Sequence, residues 1–248
     1  MILTRRSALM VGAGGLLTAC DAVGDSAIGR RVLYAGDDAH RILQRGITDR
    51  TALAREFAPD QMSPVFRSNG TRNPNTPDYN ASAANRFADW RIAIDGLVAR
   101  PLSLSMADLR AMPAREQITR HDCVEGWSAI GKWTGPRLKP LLALAGIKDS
   151  ARYLVFHCAD RFGSRPYYES IDLIDAFHPQ TILAWRLNDQ LLDVPHGAPV
   201  RLRVEKQLGY KHAKYINRIE AVASLERVGQ GKGGFWEDVA GYEWYAGI

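Results

Sequence analysis

Apolar and polar residues alternate along most of this 248-residue chain, and only a few stretches show the three-to-four-residue spacing of a helix. Trp90-Arg91-Ile92-Ala93-Ile94 alternates with period two and predicts a strand; Asp95-Gly96 turns the chain, and a second strand follows over residues 102–104. Ser105 caps a predicted short helix that Pro113 ends. Residues 115–119 read as a strand leading to Cys123, with Gly126 and Trp127 stopping it just past the thiol. Pro136 opens a helix through Leu138, Leu141, Leu142 and Leu144, and Gly146 stops it. Further strands are predicted at residues 153–157, 167–169, 181–187, 200–204 and 215–223, with a helical turn over 170–176. Upstream, Ile42, Leu43, Ile47 and Leu53 predict one or two short helices within residues 37–57. Residues 63–85, with Pro64, Pro74 and Pro77 among several asparagines, predict an ordered loop or a series of turns. The balance is an α+β fold, mixed and strand-rich, in a single domain.

Composition agrees with that and narrows the partners. A chain with 46% hydrophobic and 24% charged residues can bury a substantial core. Its net charge of +5 falls to +3 without the first 19 residues, which hold Arg5 and Arg6 and no acidic residue. That is too mild for a nucleic-acid protein, and no helix-turn-helix, zinc-finger or RNA-binding pattern is present. The basic residues gather instead between Arg201 and Arg218, as a local anion site would require.

The first residues predict export. Thr4-Arg5-Arg6-Ser7 followed by the apolar run from Ala8 to Ala19 is a twin-arginine signal peptide, too short and interrupted to span a bilayer. Such signals carry proteins across the membrane already folded, as a cytoplasmically inserted cofactor demands. Leu17-Thr18-Ala19-Cys20 resembles a lipobox, so Cys20 is a candidate lipid anchor, with simple cleavage near Ala19 the alternative. Residues 20–36 then form a polar tether, and the domain runs over 37–248.

The candidate chemistry centres on His121-Asp122-Cys123-Val124-Glu125-Gly126-Trp127-Ser128. A thiol at a strand end beside a tight turn suits a soft metal, and Arg120, His121 and Lys132 are local cations able to acidify it. A buried structural cysteine is the plain alternative. Cys123 and Cys158 could also pair as a disulfide in an oxidising compartment. Pro195-His196-Gly197-Ala198-Pro199 fixes a rigid loop whose small residues admit a flat heterocycle, and Gly209-Tyr210-Lys211-His212-Ala213-Lys214 packs three potential cations into one stretch. Arg201, between them, offers a planar fork to a phosphate or a carbonyl group, or else makes a surface ion pair.

Together the CVEGWS run, the W-x-G-x-x-L from Trp133 to Leu138 and Gly197-Ala198-Pro199-Val200-Arg201-Leu202 resemble the molybdopterin-binding domain of the sulfite oxidase family. The likeness runs from about Ser63 to the C-terminus and is greatest to the bacterial periplasmic protein-methionine-sulfoxide reductase branch. It implies a molybdenum-molybdopterin cofactor, with Cys123 as metal ligand and catalytic centre, in the mixed sulfite oxidase fold. Asn69, Gly70, Cys158, His196, Arg201, His212, Ala213 and Lys214 are the implied cofactor contacts, Lys214 for the terminal phosphate. His196 stands where the reductase branch has an asparagine, and Cys158 where it has a small hydroxyl residue. The implied activity is two-electron oxygen-atom transfer on a small substrate, in the direction of sulfoxide reduction or of sulfite-type oxidation. The implied electron partner is a membrane haem-b subunit or a periplasmic cytochrome. A non-catalytic ligand-binding lipoprotein and a thiol-disulfide protein using Cys123 and Cys158 are the readings from other classes.

Overall fold

The computed structural model describes residues 26–248, so the expected signal peptide and Cys20 lie outside the described residues. The chain divides into residues 1–49 and 50–248. In the first unit a helix runs over Ala27–Ile47, capped by Ser26, whose hydroxyl accepts from the Gly29 amide. This differs from the expected tether over 20–36 and from a domain starting at residue 37. The helical spacing of Ala39, Ile42 and Leu43 already continues backward in sequence through Ala35, Val32 and Ile28, and Thr48 ends it. Among the described residues no helix is long and apolar enough to cross a membrane.

The larger unit is strand-rich. β1 (Arg91–Gly96) and β2 (Leu102–Ser105) lie in a five-stranded sheet with β5 (Tyr153–Phe162), β6 (Arg165–Asp172) and β11 (Ile216–Val222). Its order is β2-β1-β11-β5-β6, antiparallel except for the parallel pairing of β1 with β11. A four-stranded sheet joins β3 (Ala114–Cys123), β4 (Trp127–Pro136), β8 (Arg186–Leu187) and β9 (Gln190–Leu191) in that order. β7 (Ile182–Ala184) pairs with β10 (Arg201–Arg203) in a two-stranded sheet. The strand expected over 181–187 therefore breaks at Trp185, whose amide bonds the Thr134 carbonyl while its two halves serve different sheets.

Local signals account for the helices. Ser105 and Asp108 form a reciprocal capping box on Met106–Ala111. Leu138–Ala145 begins two residues later than expected, because Pro136 still belongs to β4, and Gly146 caps it at φ +70°. A helix over Pro77–Ala84 replaces part of the loop expected across 63–85; Thr76 caps it and Pro77 sits at its first turn, where a missing N–H costs nothing. The helical turn expected over 170–176 shrinks to Leu173–Ala176, since residues 170–172 finish β6.

The main core gathers Ile92, Ile94, Leu154, Phe156 and Ile219 from the large sheet with Leu109, Leu138, Leu141 and Leu142 from the helices. A smaller one holds Phe66, Trp133, Ile182, Leu187 and Ala198. The W-x-G motif joins β4 to β7: Trp133 is fully buried, and a side chain at position 135 would collide with the Leu183 carbonyl oxygen. Near the C-terminus Lys211 is fully buried between Glu169 on β6 (2.5 Å) and Glu237 on the helix Phe235–Ala240 (2.6 Å). The carboxylates hold the Lys211 ammonium above its ordinary range, whereas burial and the neighbouring Glu237 push Glu169 well up. Removing the cation strands two acids in the interior. Lys211→Ala should lower unfolding free energy by about 3–5 kcal/mol, read as a shifted denaturant midpoint; a loss under about 1 kcal/mol would mean the three groups are not coupled.

Candidate active site

Strand alternation decides which side chains accompany the thiol. On β3, Gln117, Thr119 and His121 are buried on the face that Cys123 continues, while Arg120 and Asp122 turn outward and pair at 2.9 Å. Lys132 is engaged by Glu116 (3.3 Å) and Asp189 (2.7 Å). His121 accepts from Arg203 through Nδ1 (2.8 Å), and burial with the Arg203 charge holds its pKa well below the usual imidazole range. The three cations expected to acidify the thiol are thus two outward ion pairs and one neutral ring. Burial raises the half-buried Cys123 thiol, opposed by a backbone hydrogen bond at Glu125 and by the charge of Arg201.

Cys123 pairs across the hairpin with Trp127, and the Gly126 amide donates to its carbonyl (3.1 Å) to close the turn. The 3-10 turn Gly209–Lys211 lies against this strand end: a side chain at position 209 would stand 2.5 Å from His121 Nε2. A cavity of about 230 Å³ opens here, bringing together Cys123, Asn69, Gly70, His212 and Lys214. Cys158, His196, Arg201 and Ala213 are not on its wall.

Each residue has a definite environment. Lys214 Nζ donates to the carbonyls of Asn69 (2.7 Å), Pro195 (2.9 Å) and Thr71, and its stem lies over Gly197, where the loop's small residues were expected to admit a heterocycle. Burial and Arg201 pull its pKa down to about 7. His212 donates from Nε2 to the Gln207 carbonyl (3.0 Å), leaving Nδ1 as an acceptor on a ring kept neutral by burial and Arg203. Since Lys211 is held by its two glutamates, only Lys214 of the three expected cations remains for an anion. Arg201 is fully buried, which excludes a surface ion pair; it lies over the Trp133 ring at 5.1 Å and donates to the carbonyls of His196 (3.1 Å) and His212 (3.3 Å). Both His196 ring nitrogens have partners, Asp193 Oδ1 (2.6 Å) and the Phe66 carbonyl (2.9 Å). Ala213 is buried, its carbonyl accepting from the Leu202 amide. Cys158 is buried on β5, with its thiol pushed well up by desolvation. Cys123 and Cys158 are both free, so no disulfide joins them.

Residues 79–227 match the family model of the oxidoreductase molybdopterin binding domain. The chain is 38% identical over 197 residues to a protein of Azospira oryzae assigned as a protein-methionine-sulfoxide reductase subunit, covering 77% of this chain and 70% of that one. It belongs to the molybdopterin-binding oxidoreductases. Catalytic subunits of protein-methionine-sulfoxide reductase from Campylobacter jejuni and Ralstonia nicotianae are each 34% identical, over 144 and 178 residues. They cover 53% and 67% of this chain, which spans 48% and 50% of theirs. Among solved structures, the sulfane dehydrogenase SoxCD from Paracoccus pantotrophus aligns with TM-score 0.51 at 25% identity, over 55% of this chain and 39% of that one. The strand-rich fold expected from the sequence is therefore the molybdopterin-binding fold of this family.

The cavity fits such a cofactor on its own chemistry. Asn69 Oδ1, Asp160 Oδ1 and His212 Nδ1 are buried acceptors without a partner, and a pterin ring presents N–H donors. Several wall residues carry no signal in the motifs: Thr71, Asp160, Phe162, Tyr167, Trp236 and Tyr242. Asp160 follows Cys158 by two on β5 and so shares its face, a signal period-two counting could have supplied. These aromatic residues come from three separate segments and have no local signature. Burial drives the Asp160 carboxyl up to about 6 against the pull of Thr71 and Lys214.

The depressed Lys214 makes stability depend on pH. Its folded pKa is about 7 and its ordinary value 10.5, so between them the unfolded chain binds more protons and this group's penalty is relieved as pH rises. In cofactor-free protein the stability difference between wild type and Lys214→Met should therefore move in favour of wild type from about pH 7 to about pH 10. A pH-independent difference in denaturant midpoint would rule out a lowered lysine.

Proposed function

We propose that this chain is an exported molybdenum-molybdopterin enzyme that reduces a neutral sulfoxide, taking electrons from a membrane haem-b subunit or a periplasmic cytochrome. The observation that carries the direction is the cavity wall. Its rim is aromatic, and the acidic Glu125 and Asp160 line it, while Lys214 is fenced by three carbonyls and His212 is neutral. With Lys214 committed to the cofactor's phosphate, the wall left to a substrate is aromatic and acidic, which disfavours an oxyanion such as sulfite and accepts an uncharged sulfoxide. The names of the three curated relatives, all protein-methionine-sulfoxide reductase subunits, point the same way.

In this reading Cys123 is the protein's metal ligand, and a bound metal cation would convert its raised thiol to thiolate. Asn69, Gly70, His212 and Lys214 would hold the pterin and phosphate from the wall. Arg201, His196, Cys158 and Ala213 act from behind it, with Arg201 fixing the His196 and His212 carbonyls. When bound, the molybdenum centre supplies two-electron oxygen-atom transfer chemistry. The net reaction joins a sulfoxide, two electrons and two protons to give a thioether and water. Asp160, with its carboxyl near 6, can hold a proton in the cavity around neutral pH. Export through Arg5 and Arg6, with Cys20 as a lipid anchor, completes the reading; the simple-cleavage alternative changes only attachment.

Holoenzyme purified after native export should contain molybdenum and, with a reduced viologen, reduce methionine sulfoxide while leaving sulfite untouched. Sulfite oxidation without sulfoxide turnover would overturn the direction. Cys123→Ser should abolish turnover and alter the paramagnetic signal of the metal, and full activity in that variant would remove the ligand assignment. Arg201→Ala should lower pterin content after mild dialysis, since each hydrogen bond between a buried charge and a carbonyl is worth on the order of 1.5–3 kcal/mol. Replacing Arg5 and Arg6 with Lys should strand folded precursor in the cytoplasm.

A further inference from the structure

The outer wall of the cavity is built by the end of the chain. Trp236 lies in the helix Phe235–Ala240 and Tyr242 just beyond its cap, with the rings stacked at 5.9 Å and 26°. Tyr210 meets Tyr242 edge-on at 5.0 Å, and Phe162 meets Trp236 at 5.2 Å and 69°. All four rings line the same cavity as Cys123 and Asp160. Tyr242 is 36% exposed, which puts it at the rim.

This wall is held rigidly. Glu237, one residue after Trp236, accepts from the buried Lys211, and Tyr168 donates to Asp238 (2.6 Å). Tyr210 donates to the Glu243 carbonyl (2.6 Å), Trp244 to Ser170 (2.8 Å), and the Leu208 amide to the Ala246 carbonyl (2.9 Å). Partners on β6, within the 3-10 turn and just before it fix the segment at each end. A fixed aromatic surface selects by shape and apolar contact, and thioether sulfur packs favourably at the edge of aromatic rings.

We infer that Trp236 and Tyr242 are specificity-determining residues, forming the subsite that receives the apolar arm of a methionyl sulfoxide. This rests on the sulfoxide reading above and adds the part of the substrate that is recognised away from the reacting oxygen. A sulfoxide with a long side chain gains from the wall; one bearing only methyl groups gains little. The discrimination therefore appears in binding more than in the chemical step.

Steady-state kinetics of holoenzyme on a capped peptide containing methionine sulfoxide and on dimethyl sulfoxide test this. In Trp236→Ala and Tyr242→Ala the ratio of kcat/KM for the peptide over that for dimethyl sulfoxide should fall about tenfold, chiefly through the peptide's KM. Trp236→Phe and Tyr242→Phe should recover most of it. Quenching of tryptophan fluorescence by the corresponding thioether peptide, read without turnover, should weaken in Tyr242→Ala by a similar factor, with molybdenum content unchanged. An unaltered ratio in the Ala variants, or an equal fall in kcat for both substrates, would overturn the assignment. If the Ala variants do not fold, Trp236→Leu and Tyr242→Leu take their place: the same fall in the ratio with intact metal supports the subsite, and an unaltered ratio counts against it. Wild-type enzyme that reduces neither compound would instead sink the sulfoxide reading itself.

Discussion

Two guanidinium groups buried against one indole organise the site. Arg203 and Arg201 lie over the Trp133 ring at 4.4 and 5.1 Å, and all three side chains are fully buried. Cations so placed must be paired or hydrogen-bonded to be tolerated. Arg203 satisfies this with the Glu205 carboxylate and His121, Arg201 with two backbone carbonyls. These bonds tie β3, β4, β10 and the loop after it to one another. The strand end bearing Cys123 is therefore positioned by buried charge as much as by apolar packing.

The same charges set the electrostatics around the cavity. Two arginines close to His121 and His212 make protonation of either imidazole unfavourable beyond the cost of burial itself. Lys214 is weakened as a cation for the same reason, while Lys211 gains from two carboxylates and becomes structural. A stretch that reads as uniformly basic in one dimension divides into a fold-holding ion pair, a neutral acceptor and one titratable amine. Burial and partner charge, not residue type, make the division.

Rigidity of the C-terminal segment has a related origin. The buried Lys211 with Glu169 and Glu237 links a strand, a 3-10 turn and the last helix, so the aromatic wall cannot move without exposing or separating those charges. The site thus sits between two buried ionic clusters, one behind the thiol and one behind the aromatic rim.

How much of this is legible in the sequence follows from the range of each signal. The capping Ser105, the Gly146 stop, the strand into Cys123 and the CVEGWS, W-x-G and G-A-P-V-R motifs are local, and they lead to the fold class, the cofactor and the thiol. The helix at Pro77–Ala84 is also written locally, in Thr76-Pro77, but several nearby prolines and asparagines mask it. The first turns of the Ala27–Ile47 helix are also written locally, in the spacing of Ile28, Val32, Ala35 and Ala39, but the polar residues between them make the segment read as a tether. What the chain does not reveal in one dimension are relations across long separations: that Lys211 meets Glu169 and Glu237, that Trp133 lies under Arg201 and Arg203, and that Phe162, Tyr210, Trp236 and Tyr242 form one wall. Periodicity specifies which face a side chain takes on its own element, so it reaches the thiol; only tertiary packing decides which distant groups share that face's low-dielectric surroundings, and that sets the charge of Asp160, His212 and Lys214 around the cavity.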